Sequence, residues 1–236
     1  MQDPRVIVAL DYDNKDTAMA FIDKLDPTLC KLKVGKEMFT LFGPEFVKEI
    51  IAKGFDVFLD LKFHDIPNTV AKACKAAAEL GVWMVNVHAS GGLPMMQAAK
   101  EAIANSANPS TKLIAVTVLT SMDQEDLKLL GSRYNPLEAV ASLAAAAKEC
   151  GLHGVVCSPL EASTVRKIAG DDFMIITPGV RPAGAATSDQ KRVKTPAEAI
   201  KAGATALVIG RPVTGSDNPA LAVKTILQQI EEALNN

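Results

Sequence analysis

Eight short apolar runs, each followed by a longer amphipathic stretch, succeed one another along the 236 residues of this chain. The runs are 5–10, 29–34, 56–61, 83–88, 112–119, 154–157, 173–177 and 206–210. They show little polar–apolar alternation, the pattern of parallel strands covered on both faces. The stretches 15–25, 44–53, 69–80, 92–106, 136–150, 160–169, 196–202 and 219–234 read as helices, with 123–130 as a short extra one. Glycine follows the helical pattern just before the next strand at Gly54, Gly81, Gly151, Gly170 and Gly203, as expected of left-handed C-caps. Eight β–α units without a linker or a break in composition predict an α/β fold, a single (β/α)8 TIM barrel over residues 1–236. A doubly wound open sheet is the alternative. Against it, no G-x-G-x-x-G follows the first run, where Leu10-Asp11-Tyr12-Asp13 stands.

Composition narrows the function. With 25 basic and 27 acidic side chains, the net charge of −2 argues against a nucleic-acid surface. No apolar run reaches the roughly 18 residues of a membrane span, and Met1-Gln2-Asp3-Pro4 leads into a strand with no room for a signal peptide. Cys30, Cys74, Cys150 and Cys157 have neither metal-ligand nor redox spacing and read as inert buried thiols of a cytoplasmic protein.

In a barrel, reactive groups belong at the carboxyl ends of the strands. Asp11, Lys33, Asp60 with Lys62, His88, Thr120 with Ser121, Pro178-Gly179 and Gly210-Arg211 stand at those ends, whereas the other end shows only glycine and surface charge. Asp60 and Lys62 are two apart and face the same way in a strand. Placing opposite charges where a strand leaves the core is costly unless they serve each other or a ligand. Asp11, Lys33, Asp60, Lys62 and Asp65 read as an alternating acid–base chain, able to present a rigid proton donor to a carbanion-like centre. Structural ion pairs capping the barrel are the plain alternative, and Asp65 also suits a helix N-cap before Ile66-Pro67.

Gly210-Arg211 after the last strand fits a phosphate site of backbone N–H groups and a guanidinium fork. The connection 178–190 reads as a lid whose Arg181 and Gln190 reach that phosphate on closure. Thr120 and Ser121 can donate to a ligand ring, although Ser121 with Gln124 also matches a capping box. His64 and His88 stand at no metal spacing and read as hydrogen-bonded structural residues, His153 as a surface residue, and Trp83, Met95 and Met96 as core or interface filler.

The run Asp60-Leu61-Lys62-Phe63-His64-Asp65-Ile66-Pro67-Asn68-Thr69 resembles the D-x-K-x-x-D signature of the orotidine 5′-phosphate decarboxylase family. The likeness extends in order through Ala9-Leu10-Asp11, Lys31-Leu32-Lys33-Val34-Gly35, Thr117-Val118-Leu119-Thr120-Ser121, Thr177-Pro178-Gly179-Val180-Arg181-Pro182 and Val208-Ile209-Gly210-Arg211-Pro212. Related magnesium-dependent sugar-phosphate lyases share D-x-K-x-x-D but carry an acidic metal ligand at the end of the second strand, where this chain has Lys33. The resemblance implies decarboxylation of orotidine 5′-phosphate (OMP) to UMP, the last step of de novo pyrimidine synthesis, without metal or organic cofactor. It implies Lys62 as proton donor to C6, Asp60 beside the departing carboxylate, and Lys33 and Asp65 completing the charge network. Asp11 and Lys33 would hold ribose hydroxyls, Ser121 with Thr120 the pyrimidine edge, and Arg181, Gln190, Gly210 and Arg211 the phosphate, with Pro178 beside them. Asp65, Ile66 and Thr69 would reach into a neighbouring subunit's site, which implies a homodimer with shared active sites.

Overall fold

The computed structural model describes residues 4–180 and 194–235. Among them, eight parallel strands close into a barrel in the order β1 to β8. These are β1 (Val6–Leu10), β2 (Lys31–Gly35), β3 (Val57–Phe63), β4 (Met84–His88), β5 (Lys112–Val116), β6 (Gly154–Val156), β7 (Met174–Thr177) and β8 (Ala206–Ile209). Helices α1 (Lys15–Ile22), α2 (Lys36–Ala52), α3 (Pro67–Glu79), α4 (Leu93–Ala104), α6 (Pro136–Glu149), α7 (Ala162–Ala169), α8 (Pro196–Lys201) and α10 (Pro219–Asn235) follow successive strands, with short helices α5 (Gln124–Leu129) and α9 (Arg211–Thr214) added at the top. The predicted (β/α)8 architecture is the one found.

The continuous apolar runs are explained by two separate cores. Ile7, Ala9, Phe58, Met84, Ile114 and Ile176 point inward and fill the lumen. Their alternates, such as Val6, Val8, Leu32, Leu59, Val85 and Leu207, pack outward against the helices. Most strands are thus apolar on both faces, β2 being an exception with Lys31 and Lys33 on its inner face, and each fully buried Val, Leu, Ile or Phe contributes roughly 1.5–3 kcal/mol of transfer free energy. Gly154 is dictated by this packing, because a Cβ there would lie 2.2 Å from the Met174 carbonyl oxygen on the adjacent strand.

The lower end of the lumen is not only glycine and surface charge. Lys31 is buried there, its Nζ 2.6 Å from Asp56 Oδ2 and 4.4 Å from the centre of the Trp83 ring. The ion pair and the aromatic face together offset the desolvation of the ammonium. The cysteines are buried and free, and burial pushes the Cys30 and Cys74 thiols up to about 12. Met95 and Met96 are core residues. No helix among the described residues is long and apolar enough to cross a membrane.

Several boundaries differ from the sequence reading for identifiable reasons. Helix α2 begins at Lys36, not residue 44, because two helical pieces join across a kink at Gly43, whose φ of 66° only glycine adopts readily. Strand β5 stops at Val116, and the residues up to Thr120 turn over the barrel mouth. The α5 cap is Asp123, boxed with Asp126, so Ser121 and Gln124 form no capping box. Helix α3 is capped at Ile66 without a side-chain bond; Asp65 is not its N-cap, and its Oδ1 accepts the neighbouring Ile66 N–H at 2.6 Å. His153 is half-buried, and its Nδ1 accepts the Leu113 N–H at 3.0 Å.

Candidate active site

The site begins with an irregularity in β3. Leu59 pairs with Val85 and Phe63 with Val87, so four steps along β3 face two along β4 and the strand carries two extra residues. The slack is absorbed at Lys62, whose φ of 53° makes it the one described non-glycine residue in the left-handed region. Such a conformation costs a bulky side chain about 1–3 kcal/mol and persists only when its surroundings hold it. Asn86 supplies that hold. Fully buried on β4, it accepts the Lys62 backbone N–H on Oδ1 at 2.8 Å, replacing the lost ladder bond.

Asp60, the last inward-facing residue before the bulge, becomes the hub. Its Oδ1 accepts from Lys62 Nζ at 2.6 Å and from Asn86 Nδ2 at 2.7 Å. Its Oδ2 lies 3.4 Å from Lys33 Nζ, which projects from β2. Burial alone would push the Asp60 carboxyl up. The charges of Lys33 and Lys62, with the bonds from Lys62 and Asn86, outweigh burial and hold it below the ordinary carboxylate range. Two ammonium groups on one carboxylate leave a net positive wall facing the barrel mouth, where an anionic ligand is favoured.

That wall closes one side of a cavity of about 300 Å³ at the carboxyl ends of the strands. Asp11, Lys33, Asp60, Lys62, Gly210 and Arg211 line its polar side, together with Thr120 and Pro178. Val116, Val118, Val156 and Val208 form an apolar wall, which excludes water and strengthens the charge interactions opposite. Arg211 opens α9 directly after β8, as the sequence predicts.

The chain from Asp11 to Asp65 is shorter than the sequence suggests. Among the described residues Lys33, Asp60 and Lys62 form the ion-paired unit, while Asp11 only lines the cavity and Asp65 makes no ion pair. Asp65, Ile66 and Thr69 are exposed and stand away from the cavity lining, Ile66 at 67% exposure. Ser121 is exposed beside the mouth and does not line it. Arg181 and Gln190, and with them most of the expected lid, lie outside the described residues. Asn86 went unnoticed in the sequence, although one amide inside the otherwise apolar Met84-Val85-Asn86-Val87 marks a buried polar group that needs partners.

His64 and His88 form no hydrogen bond with a described residue; their rings instead pack 5.4 Å apart against a second, mostly apolar cavity of about 390 Å³. Burial, then the neighbouring His64, Lys62 and Lys36 charges, push the His88 imidazole down to about 4, against the opposing pull of Asp60. An unfolded histidine takes up its proton near 6.5, the folded one only near 4. The unfolded state therefore binds more protons between these values, and stability falls as pH drops through that window. After discounting for the partly exposed ring, the loss is ~1–2 kcal/mol. Thermal melts from pH 7 to 5 are expected to show a smaller decline in Tm for His88→Gln than for the wild type; equal slopes would contradict this.

The comparisons with known proteins are consistent along the chain. The family described as "Orotidine 5'-phosphate decarboxylase / HUMPS family" matches residues 4–226. A curated protein of Pseudoalteromonas atlantica named orotidine 5′-phosphate decarboxylase is 57% identical over 226 residues, 96% of this chain and 98% of that protein. One of the same name from Vibrio cholerae is 56% identical over 234 residues, 99% of this chain and all of its own length. The crystal structure of orotidine 5′-phosphate decarboxylase from Lactobacillus acidophilus superposes with a TM-score of 0.86 at 40% identity, covering 97% of this chain and 99% of that one.

Proposed function

Because the chain belongs to the orotidine 5′-phosphate decarboxylase / HUMPS family, we propose that it decarboxylates OMP to UMP with Lys62 as proton donor to C6. The observation that carries the residue assignment is the Lys62 ammonium, fixed 2.6 Å from Asp60 Oδ1 on the wall of the cavity at the barrel mouth. We read residues 1–236 as one catalytic domain working in the cytoplasm, where buried unpaired thiols are at home.

In the proposed reaction the bond between C6 and the carboxylate breaks, carbon dioxide departs, and the electron pair stays on C6. That pair lies in the plane of the ring and cannot be delocalised, so stabilisation has to come from preorganised charge. The Lys62 ammonium supplies it and transfers a proton to C6, and solvent reprotonates the amine once UMP leaves. Asp60, braced by Lys33, holds that ammonium before substrate arrives and sits where the carboxylate departs. In this reading Asp11 and Lys33 hold ribose hydroxyls, Thr120 and Ser121 the pyrimidine edge, and Gly210 and Arg211 the phosphate, with Pro178 at the rim and Arg181 and Gln190 joining on closure. Phosphate contacts far from C6 then drive closure and contribute to the rate as well as to binding. No metal or organic cofactor is assigned a role.

The test is the loss of OMP absorbance on adding protein in excess chelator. Rapid conversion is expected; no conversion, or conversion only after adding magnesium, would instead favour a metal-dependent sugar-phosphate lyase.

A homodimer with shared sites belongs to the same reading. Its support is the exposure of Asp65, Ile66 and Thr69 immediately after the catalytic strand, with no cationic partner for Asp65 among the described residues. If Lys62 of one subunit works with Asp65 of the other, mixing Lys62→Ala and Asp65→Ala chains under exchange rebuilds intact sites. Random pairing gives such a site in half of the dimers and at one of their two positions, so roughly a quarter of wild-type activity should return. A mixture no more active than its separate components would exclude the shared site.

A further inference from the structure

We infer that Asn86 is a positioning residue for the proton donor: it fixes the left-handed Lys62 backbone and the Asp60 carboxylate as one unit, so that the ammonium stands over the cavity before substrate binds. The inference rests on Lys62 being that donor.

The argument starts from the strand register. Two surplus residues in β3 would normally leave the Lys62 N–H without a ladder partner and its backbone free to relax. Asn86 is fully buried between Val85 and Val87, the two β4 residues that bracket the bulge, and is placed to span it. Its carbonyl oxygen takes the Lys62 N–H at 2.8 Å, and its amide donates to Asp60 Oδ1 at 2.7 Å. Asp60 Oδ1 in turn receives Lys62 Nζ at 2.6 Å. A ring of contacts therefore runs from the Lys62 backbone through Asn86 and Asp60 to the Lys62 ammonium. Within it, the main chain and the tip of the same lysine are held by one amide and one carboxylate.

The position demands one acceptor and one donor on the same side chain, which the Asn86 amide supplies. A residue without an acceptor leaves the strained Lys62 N–H unsatisfied. One without a donor leaves the Asp60 carboxylate free to rotate about its bond to Lys62. Asp60 and Lys33 are both retained when Asn86 is replaced, so the charge of the site survives while its geometry loosens. A shift of about 1 Å in a reacting group is enough to cost ~100-fold in rate.

The experiment compares wild type, Asn86→Ala, Asn86→Leu and Lys62→Ala for kcat and KM with OMP, with circular dichroism and melting curves on each. Asn86→Leu keeps roughly the volume of the amide and adds no charge, but carries neither the acceptor for Lys62 N–H nor the donor to Asp60, so it reports even if Asn86→Ala does not fold. Folded Asn86 variants are expected to lose ~30–300-fold in kcat with KM within about threefold of wild type. A folded variant that keeps kcat within threefold, or whose loss lies equally in KM, would overturn the inference. Lys62→Ala separates the two failures: if it keeps wild-type kcat the donor assignment falls, whereas if it alone is inactive only the role of Asn86 falls.

Discussion

Lys62→Ala is expected to lower kcat/KM for OMP by ~10⁴–10⁷-fold while the protein still folds and still binds UMP. Two separate contributions disappear with this side chain. General-acid transfer of a proton in the transition state is worth ~10²–10⁴-fold, and a charge preorganised toward a developing anion in a water-poor site a further ~10²–10³-fold. Both act on the C6 carbanion, which exists only after the carboxylate has begun to leave. The ground-state contacts proposed for Gly210, Arg211 and Asp11 are untouched, so UMP affinity measured by calorimetry should change by less than about tenfold. Stability should change little, because Asp60 keeps Lys33 at 3.4 Å and Asn86 at 2.7 Å. A variant that loses UMP binding as steeply as turnover would mean that Lys62 serves binding, not the chemical step.

Asp60→Asn should be nearly as damaging and, unlike Lys62→Ala, should also weaken the fold. The carboxylate accepts from Lys62 and Asn86 and faces Lys33. Its loss leaves two ammonium groups on a mostly buried wall without a counter-charge and turns an amide toward the Asn86 Nδ2. Removing one partner of a buried ion pair costs about 3–5 kcal/mol, and the lower end applies here because Lys62 is one-quarter exposed. With the ammonium unmoored from its 2.6 Å contact, kcat/KM should fall ~10³-fold or more. The stability effect carries a sign in pH. The folded Asp60 carboxyl lies below its ordinary value, so its contribution is complete above the unfolded value of about 3.9 and is lost as pH falls through the folded one. The gap in Tm between wild type and Asp60→Asn should therefore be widest near neutrality and close only in strong acid. A gap that does not vary with pH would contradict the ion-paired hub.

The barrel was legible because strands buried on both faces have no polar alternation, and because glycines such as Gly151 and Gly170 punctuate the helix ends. Lys33, Asp60, Arg211 and Thr120 were legible for a related reason: each is a polar residue where an apolar strand meets the mouth, and each lines the cavity. What escaped was three-dimensional register. A period-of-two argument places Asp60 and Lys62 on one face, and they do meet, but across two surplus residues and a left-handed Lys62 that no spacing rule reveals. Asn86 escaped for the same reason, since its value lies in bracketing a bulge on the neighbouring strand. The Ser121 capping box failed because Asp123, two residues later, competes for the same helix end and has Asp126 to complete its own box. Asp65 shows the limit of reading one chain: its motif marks it as reactive, yet within a single chain it faces solvent.

The most direct test of the central claim is hydrogen exchange at C6 of UMP in deuterated water, followed by proton NMR. By microscopic reversibility, the group that delivers the proton to C6 is also the base that removes it. The account predicts that the wild-type enzyme accelerates loss of the C6 proton signal and that Lys62→Ala, at concentrations that saturate it with UMP, does not. Exchange persisting in Lys62→Ala at the wild-type rate would show that another group handles the proton and would contradict the account.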